Sequence, residues 1–265
     1  MPSLADVNPD ALLTMLKGEP GTRKSTCALS YPLPQYWVST DKKMNSILLP
    51  AKKWGVDVKQ VEFDDYNNWD NVRIKLEALE TNCKFKTLII DSITTSGDNI
   101  NRQVIKQKGK DAYFIGGIPV DTIEDYKAEA SAFRELMALL NSVRKFHKIQ
   151  VVIIAHVVGQ RASNDANKLT HHSRVIVTGG DKISAKISAY CDEAYHFNIK
   201  PGATESSAGD YSLLTTHTGN DYARTCLPLA REIIFNDKPL YQTWIAPAIK
   251  TFKPNPPTEQ PSIRA

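Results

Sequence analysis

Leu12-Leu13-Thr14-Met15-Leu16-Lys17-Gly18-Glu19-Pro20-Gly21-Thr22-Arg23-Lys24-Ser25-Thr26 decides the fold. Leu12–Leu16 is a short apolar run that predicts a buried strand. Gly18–Ser25 breaks it with two glycines and a proline. A helix is predicted to open at Thr26 and run to Ser30. A strand turning through glycines into a helix start presents successive backbone N–H groups to one point, with the positive end of the helix dipole behind them. That is a cradle for a phosphate chain. Gly18 and Gly21 let the backbone turn and approach closely. Lys24 is placed to reach β- and γ-phosphates, and the Ser25 hydroxyl to hold Mg²⁺. The whole segment Gly18, Glu19, Pro20, Gly21, Thr22, Arg23, Lys24, Ser25, Thr26 is the expected ATP-binding loop. The pattern GxxxxGK[ST] asks for glycine where this chain has Arg23. The arginine must point away from the phosphates or lie along them as an extra cation.

Outward from this loop, apolar runs alternate with helical patterns. Tyr36–Ser39, Val58–Phe63, Leu88–Asp91 and Val151–Ala155 read as strands. Trp69–Leu79 and Glu124–Val143 read as amphipathic helices. Strands that are apolar throughout imply a sheet covered on both faces, and intervening helices imply parallel crossovers. The expected fold is α/β: a three-layer sandwich with a mostly parallel sheet. Ala194–Ile199, Tyr211–Thr216 and Ile233–Phe235 are expected as antiparallel strands at one side. Asp98–Val120 and Val157–Thr178 read as long functional loops. Residues 1–245 are expected to form one domain, and 246–265, rich in proline, a disordered tail.

Lys86-Thr87-Leu88-Ile89-Ile90-Asp91-Ser92 is an apolar strand ending in an acid. In a phosphate-loop fold the acid's strand is expected beside the loop strand, where Asp91 can hold Mg²⁺ through water. Val151–Ala155 leads into His156, a candidate sensor of the γ-phosphate. Asp41, just past the Tyr36–Ser39 strand, is the candidate that orients the attacking water, with Glu19 as runner-up.

With these motifs in order, the chain resembles the RecA-like P-loop ATPases, most closely the compact recombinase or annealing ATPases of bacteriophages. In that family the acid strand commonly ends in Asp-Ser, as Asp91-Ser92 does here. A long loop and then Thr178-Gly179-Gly180-Asp181 follow His156, similar to the step after the second DNA loop of RecA. The resemblance implies ATP and Mg²⁺ as cofactors, single-stranded DNA as partner, and self-association with the site shared between subunits. It assigns Asp98–Val120 and Val157–Thr178 as DNA loops, with Arg102, Lys106, Lys108, Lys110, Arg161, Lys168 and Arg174 for phosphates. Tyr113, Phe114, His171 and His172 supply flat surfaces for bases. Arg224, after a late strand, is the candidate finger reaching a neighbour's γ-phosphate, with Arg231 behind it. Only about ten residues precede the first strand, which argues against RecA-type filaments and leaves other oligomers open.

Composition bounds the rest. A hydrophobic fraction of 42% supports a core, and a net charge of +4 permits a polyanionic partner without demanding one. Cys27, Cys83, Cys191 and Cys226 form no zinc-type spacing and read as reduced thiols of a cytoplasmic protein. No apolar run approaches the roughly 20 residues of a membrane span. Three readings stay open: a DNA-stimulated ATPase, a nucleotide-gated binding module that scarcely hydrolyses, and a small-molecule kinase.

Overall fold

The computed structural model describes residues 8–115, 118–120, 122–162, 171–176, 187–200, 202, 209–218 and 221–252. The strands are β1 (Leu13–Gly18), β2 (Gln35–Ser39), β3 (Val61–Asp65), β4 (Thr87–Asp91), β5 (Phe114–Ile115), β6 (Ile118–Pro119), β7 (Gln150–Ala162), β8 (His171–Ile176), β9 (Glu193–Lys200), β10 (Asp210–Leu214) and β11 (Glu232–Ile234). The helices are α1 (Lys24–Ala28), α2 (Leu48–Trp54), α3 (Trp69–Thr81), α4 (Ile93–Lys108), α5 (Ile123–His147) and α6 (Ala246–Phe252).

The main sheet runs β11-β10-β9-β1-β7-β4-β2-β3. The six strands from β9 to β3 are parallel, and β10 and β11 close one side antiparallel. Alternate residues of each central strand enter different cores, as the strand period of two requires. Met15, Val38, Ile90 and Ile153 face the layer of α3, α4 and α5. Leu16, Trp37, Ile89 and Ile154 face Cys27, Ala28, Ala51 and Ile249 of α1, α2 and α6. Both faces are covered, hence the continuous apolar runs.

Four expectations are corrected. First, β9 is parallel to β1; only β10 and β11 are antiparallel additions. Second, the strand of Asp91 is not beside the loop strand. β7 lies between them, pairing Gly18 with His156 on one side and Ile154 with Asp91 on the other.

Third, the two long loops carry regular structure. Asp98–Lys108 belongs to α4, whose N-cap Ser92 accepts the Thr95 N–H. Gly97 made this helix hard to read, yet it is where α4 meets α5. A Cβ there would sit 2.6 Å from Glu129 Oε1. Val157–Ala162 extends β7 into a hairpin with β8, and β5 and β6 form a second small hairpin.

Fourth, the disordered tail does not begin at 246. Pro247 lies in α6, which follows directly on a π-helical turn, Tyr241–Ile245, so the chain is already helical where α6 begins. Ala248 and Ile249 are buried in the second core. Residues 253–265 lie outside the described residues.

If α6 is part of this core, Ile249→Ala should destabilise the domain by about 2–4 kcal/mol. Urea unfolding would measure it; a loss within error of zero would return the helix to the tail.

Candidate active site

The loop between β1 and α1 is built by close approach and one forced conformation. A Cβ on Gly18 would lie 2.6 Å from the Phe197 carbonyl oxygen, so only glycine lets β1 end against β9. Gly21 turns the tip at φ +83°, a region open to glycine without penalty. The Thr22 hydroxyl donates to the Glu19 carbonyl at 2.8 Å, bracing the bend. Lys24 opens α1 and is buried. Its Nζ donates to the carbonyls of Gly18 at 2.9 Å and Glu19 at 2.8 Å. Burial pulls its pKa down to about 8, against the opposing pull of Asp91, Asp41 and Glu19. Lys17, one residue before Gly18, is likewise buried and pulled down to about 8, with Asp221 opposing the shift and the Tyr222 ring 5.0 Å from its Nζ.

Arg23 takes the first of its two expected courses. It occupies the left-handed conformation (φ 65°) that explains the glycine of the usual pattern. Its side chain turns outward. The guanidinium lies 3.9 Å from the Tyr211 ring centre and donates to Asn236 O at 3.1 Å and Asp237 Oδ1 at 2.6 Å. Lys53 pairs with the other oxygen of Asp237 at 2.7 Å, and Trp54 Nε1 donates to its carbonyl at 2.8 Å. The phosphate loop is thereby tied to the turn after β11 and to the end of α2.

The acids meet at the carboxyl ends of β2 and β4. The backbone N–H groups of Thr40 and Asp41 donate to the Asp91 carbonyl at 2.7 and 3.2 Å. The Thr40 hydroxyl donates to Ser92 O at 2.8 Å and accepts the Ser92 N–H at 2.9 Å. The Asp91–Ser92 peptide is cis. The Asp91 carboxyl is buried beside the Ser25 hydroxyl. Burial raises its pKa to about 6, partly countered by the Ser25 hydrogen bond, with Asp41 adding to the rise. Asp41 moves the other way. Burial would raise its pKa, but hydrogen bonds from His156, Thr95 and Ser92 outweigh it and hold the carboxyl well below the usual range. The Ser92 hydroxyl donates to Asp41 Oδ1 at 2.8 Å, and Thr95 donates to the same oxygen. His156 Nε2 is 3.3 Å from Asp41 Oδ2, and the His156 N–H donates to the Thr94 hydroxyl at 3.0 Å.

Lys24, Ser25, Asp91, Asp41 and His156 therefore share one end of the sheet. Sequence reasoning missed Thr40, Thr94 and Thr95, which fix the acids and the histidine. The hydroxyl-rich run Ser92-Ile93-Thr94-Thr95 after the strand was the available signal for a capped helix start.

Other expected residues lie elsewhere. Glu19 and Pro20 are at the exposed tip of the loop. Arg224 pairs through its backbone with Ala194 at 2.9 Å, level with Met15, so it stands three strand residues back from this chain's own cradle. Arg102 and Lys106 are exposed on α4, whereas Lys108 is committed to Asp125 at 2.5 Å. Lys110, Arg161 and Arg174 are on described backbone, but their side chains are outside the described residues. Lys168 and Thr178–Asp181 are outside altogether.

The residues fit magnesium nucleotide. Ser25 and Asp91 offer two hard oxygens side by side, and no group of three or more His, Cys, Asp or Glu suited to a metal occurs among the described residues. That donor set suits an ion that keeps its water and phosphate ligands rather than one enclosed by protein. His156 Nδ1 is buried without a partner among the described residues, a polar atom still available at the cradle's edge.

A family model of the AAA domain matches residues 11–225, from the start of β1 past the segment of Arg224. The chain belongs to the AAA domain family. This AAA domain spans the phosphate loop, both acids and His156. No relative among curated proteins matches it. Among solved structures, the crystal structure of the RadB recombinase aligns with a TM-score of 0.51, over 86% of this chain and 89% of that one, at 13% identity. That likeness shows the fold, which is RecA-like. Family and fold make the AAA domain a nucleotide-binding P-loop ATPase of the RecA-like kind.

Two stability measurements test this geometry. Arg23→Gly should be more stable than Arg23→Ala by about 1 kcal/mol, because both lose the tether and only alanine keeps the left-handed penalty; equal stability would contradict the backbone assignment. Asp91 binds its proton more tightly folded than unfolded. In metal-free protein its contribution is present below the ordinary carboxylate pKa and is lost as pH rises through about 6. Asp91→Asn should therefore raise stability at pH 7 by about 1–3 kcal/mol and flatten the profile between pH 4 and 6; an unchanged profile would show the carboxyl unperturbed.

Proposed function

We propose that the protein is a magnesium-dependent ATPase acting on single-stranded DNA, of the kind that serves phage-type recombination, annealing or replication. The single observation that carries this is the meeting of Lys24, Ser25 and Asp91 with Asp41 and His156 at the carboxyl ends of β1, β4 and β2 and the middle of β7. Binding alone needs the first three. A carboxylate kept ionised by three hydrogen bonds, next to a histidine level with the loop, is the equipment for orienting water.

In this reading the loop amides and Lys24 hold the triphosphate, Lys24 leaving the Gly18 and Glu19 carbonyls to do so. Ser25 and Asp91 hold the magnesium ion, which when bound draws charge from the phosphate oxygens. Asp41 accepts a hydrogen bond from the attacking water and stays charged at neutral pH. His156 fixes Asp41 and stands where a change at the γ-phosphate reaches β7. The outward course of Arg23 supports hydrolysis over passive binding, since the unusual residue leaves the phosphate side of the loop clear. The position of Arg224, away from its own cradle, suits a finger offered to a neighbouring subunit. The recombinase named by the aligned structure and the free cations Arg102 and Lys106 support DNA as the polyanion.

Steady-state ATP turnover with and without single-stranded DNA tests the reading. Turnover should rise with DNA. It should vanish in Lys24→Ala and fall about 100-fold or more in Asp41→Asn, the scale set by losing one transition-state group. Tight ATP binding with negligible turnover in every condition would favour the nucleotide-gated module instead.

A further inference from the structure

A cleft of about 600 Å³ opens between the start of α3 and the middle of α4, on the same edge of the sheet as the acids. Its lining is amide-rich: Asn67, Asn68, Asn99 and Gln107, with Arg102 and Lys106. Asn99 lines the cleft from α4 and is only 7% exposed. The one acid in the lining is already engaged: Asp70 accepts from Gln103 Nε2 at 2.6 Å, and Gln103 Oε1 accepts from the Trp69 N–H at 2.9 Å. Arg102 and Lys106, one helical turn apart, have no ion-pair partner among the described residues, unlike Lys108.

We infer that this cleft takes a base of single-stranded nucleic acid, with the adjoining phosphates on Arg102 and Lys106. Amides present a donor and an acceptor together, as base edges do, and free cations above them match a polyphosphate backbone. The volume is that of a small-ligand site. The same face of α4 leads back to the acids. Thr95, Asn99, Arg102 and Lys106 follow at steps of four, three and four residues and so line one stripe, and Thr95 donates to Asp41. A base seated on Asn99 is thus joined by one rigid helix to the carboxylate that orients water. The inference rests on the single-stranded-DNA reading and gives it a location.

The test is anisotropy with a labelled oligothymidine and with the same backbone carrying abasic spacers, on the full chain with ATP and magnesium. Asn99→Leu, close in size, should weaken oligothymidine about fivefold and leave the abasic strand unchanged. The exposed pair Arg102→Ala/Lys106→Ala should weaken both strands about tenfold and lower the salt slope by about two. That pair is at the surface and decides the matter should Asn99→Leu fold poorly. Wild-type binding that neither variant alters would overturn the cleft and leave the DNA reading standing. No binding of either strand by the wild-type chain would overturn the DNA reading itself. Equal affinity for polyglutamate would assign the surface to an acidic protein and overturn the proposal.

Discussion

The parallel register of β1, β7, β4 and β2 is the constraint on which the site depends. Gly18 is level with His156, Asp91 with Ile154, and Ser39 with Asp91. A phosphate loop, a histidine and two carboxylates from four separate stretches of chain are therefore delivered to one edge without any of them contacting all the others. A one-residue slip of any strand would turn its inward residues to the opposite layer, and the two apolar cores forbid it. The stability of the layers and the geometry of the chemistry are the same fact seen at different depths.

On that edge two aspartates are driven apart in character. Asp91 is buried and has one neutral donor, Ser25; it holds a proton more readily than usual until a cation arrives. Asp41 is partly buried, and the donors from His156, Thr95 and Ser92 keep it charged. Opposite shifts in neighbouring acids separate their characters, one easily neutralised and one held as a carboxylate that accepts hydrogen bonds. The backbone clamp of Thr40 and Asp41 on the Asp91 carbonyl makes the two acids a unit, so neither role can drift in space.

The central layer was legible because buried parallel strands are apolar on both sides, and Leu88–Asp91 and Val151–Ala155 were marked by that alone. Lys24, Ser25, Asp91, Asp41 and His156 were picked out because each closes or follows an apolar run or stands at a helix start in the sequence pattern. α4 was not, because Ile93 and Ile100 are the only hydrophobic residues fully buried along it, with Ser96, Gly97, Asn99 and Asn101 filling the rest of its buried face. Its packing relies on closeness to α5, which leaves no periodic signal. The extended β7 and its hairpin were hidden by polar composition, and α6 by prolines that read as breakers. The strand between β1 and β4 was beyond local reading altogether, since strand order depends on crossovers and not on composition.

Lys17 and Lys24 share a property that surface lysines lack. Both ammonium groups are buried, Lys24 at the start of α1 and Lys17 on β1, and burial pulls both pKa values down to about 8. Both are thus discharged at milder alkalinity than a lysine in water. Mild alkalinity would strip the nucleotide pocket of attraction for anions before it touched the basic outer surface. Attraction for anions at the loop and at the outer surface is thus set on different proton scales.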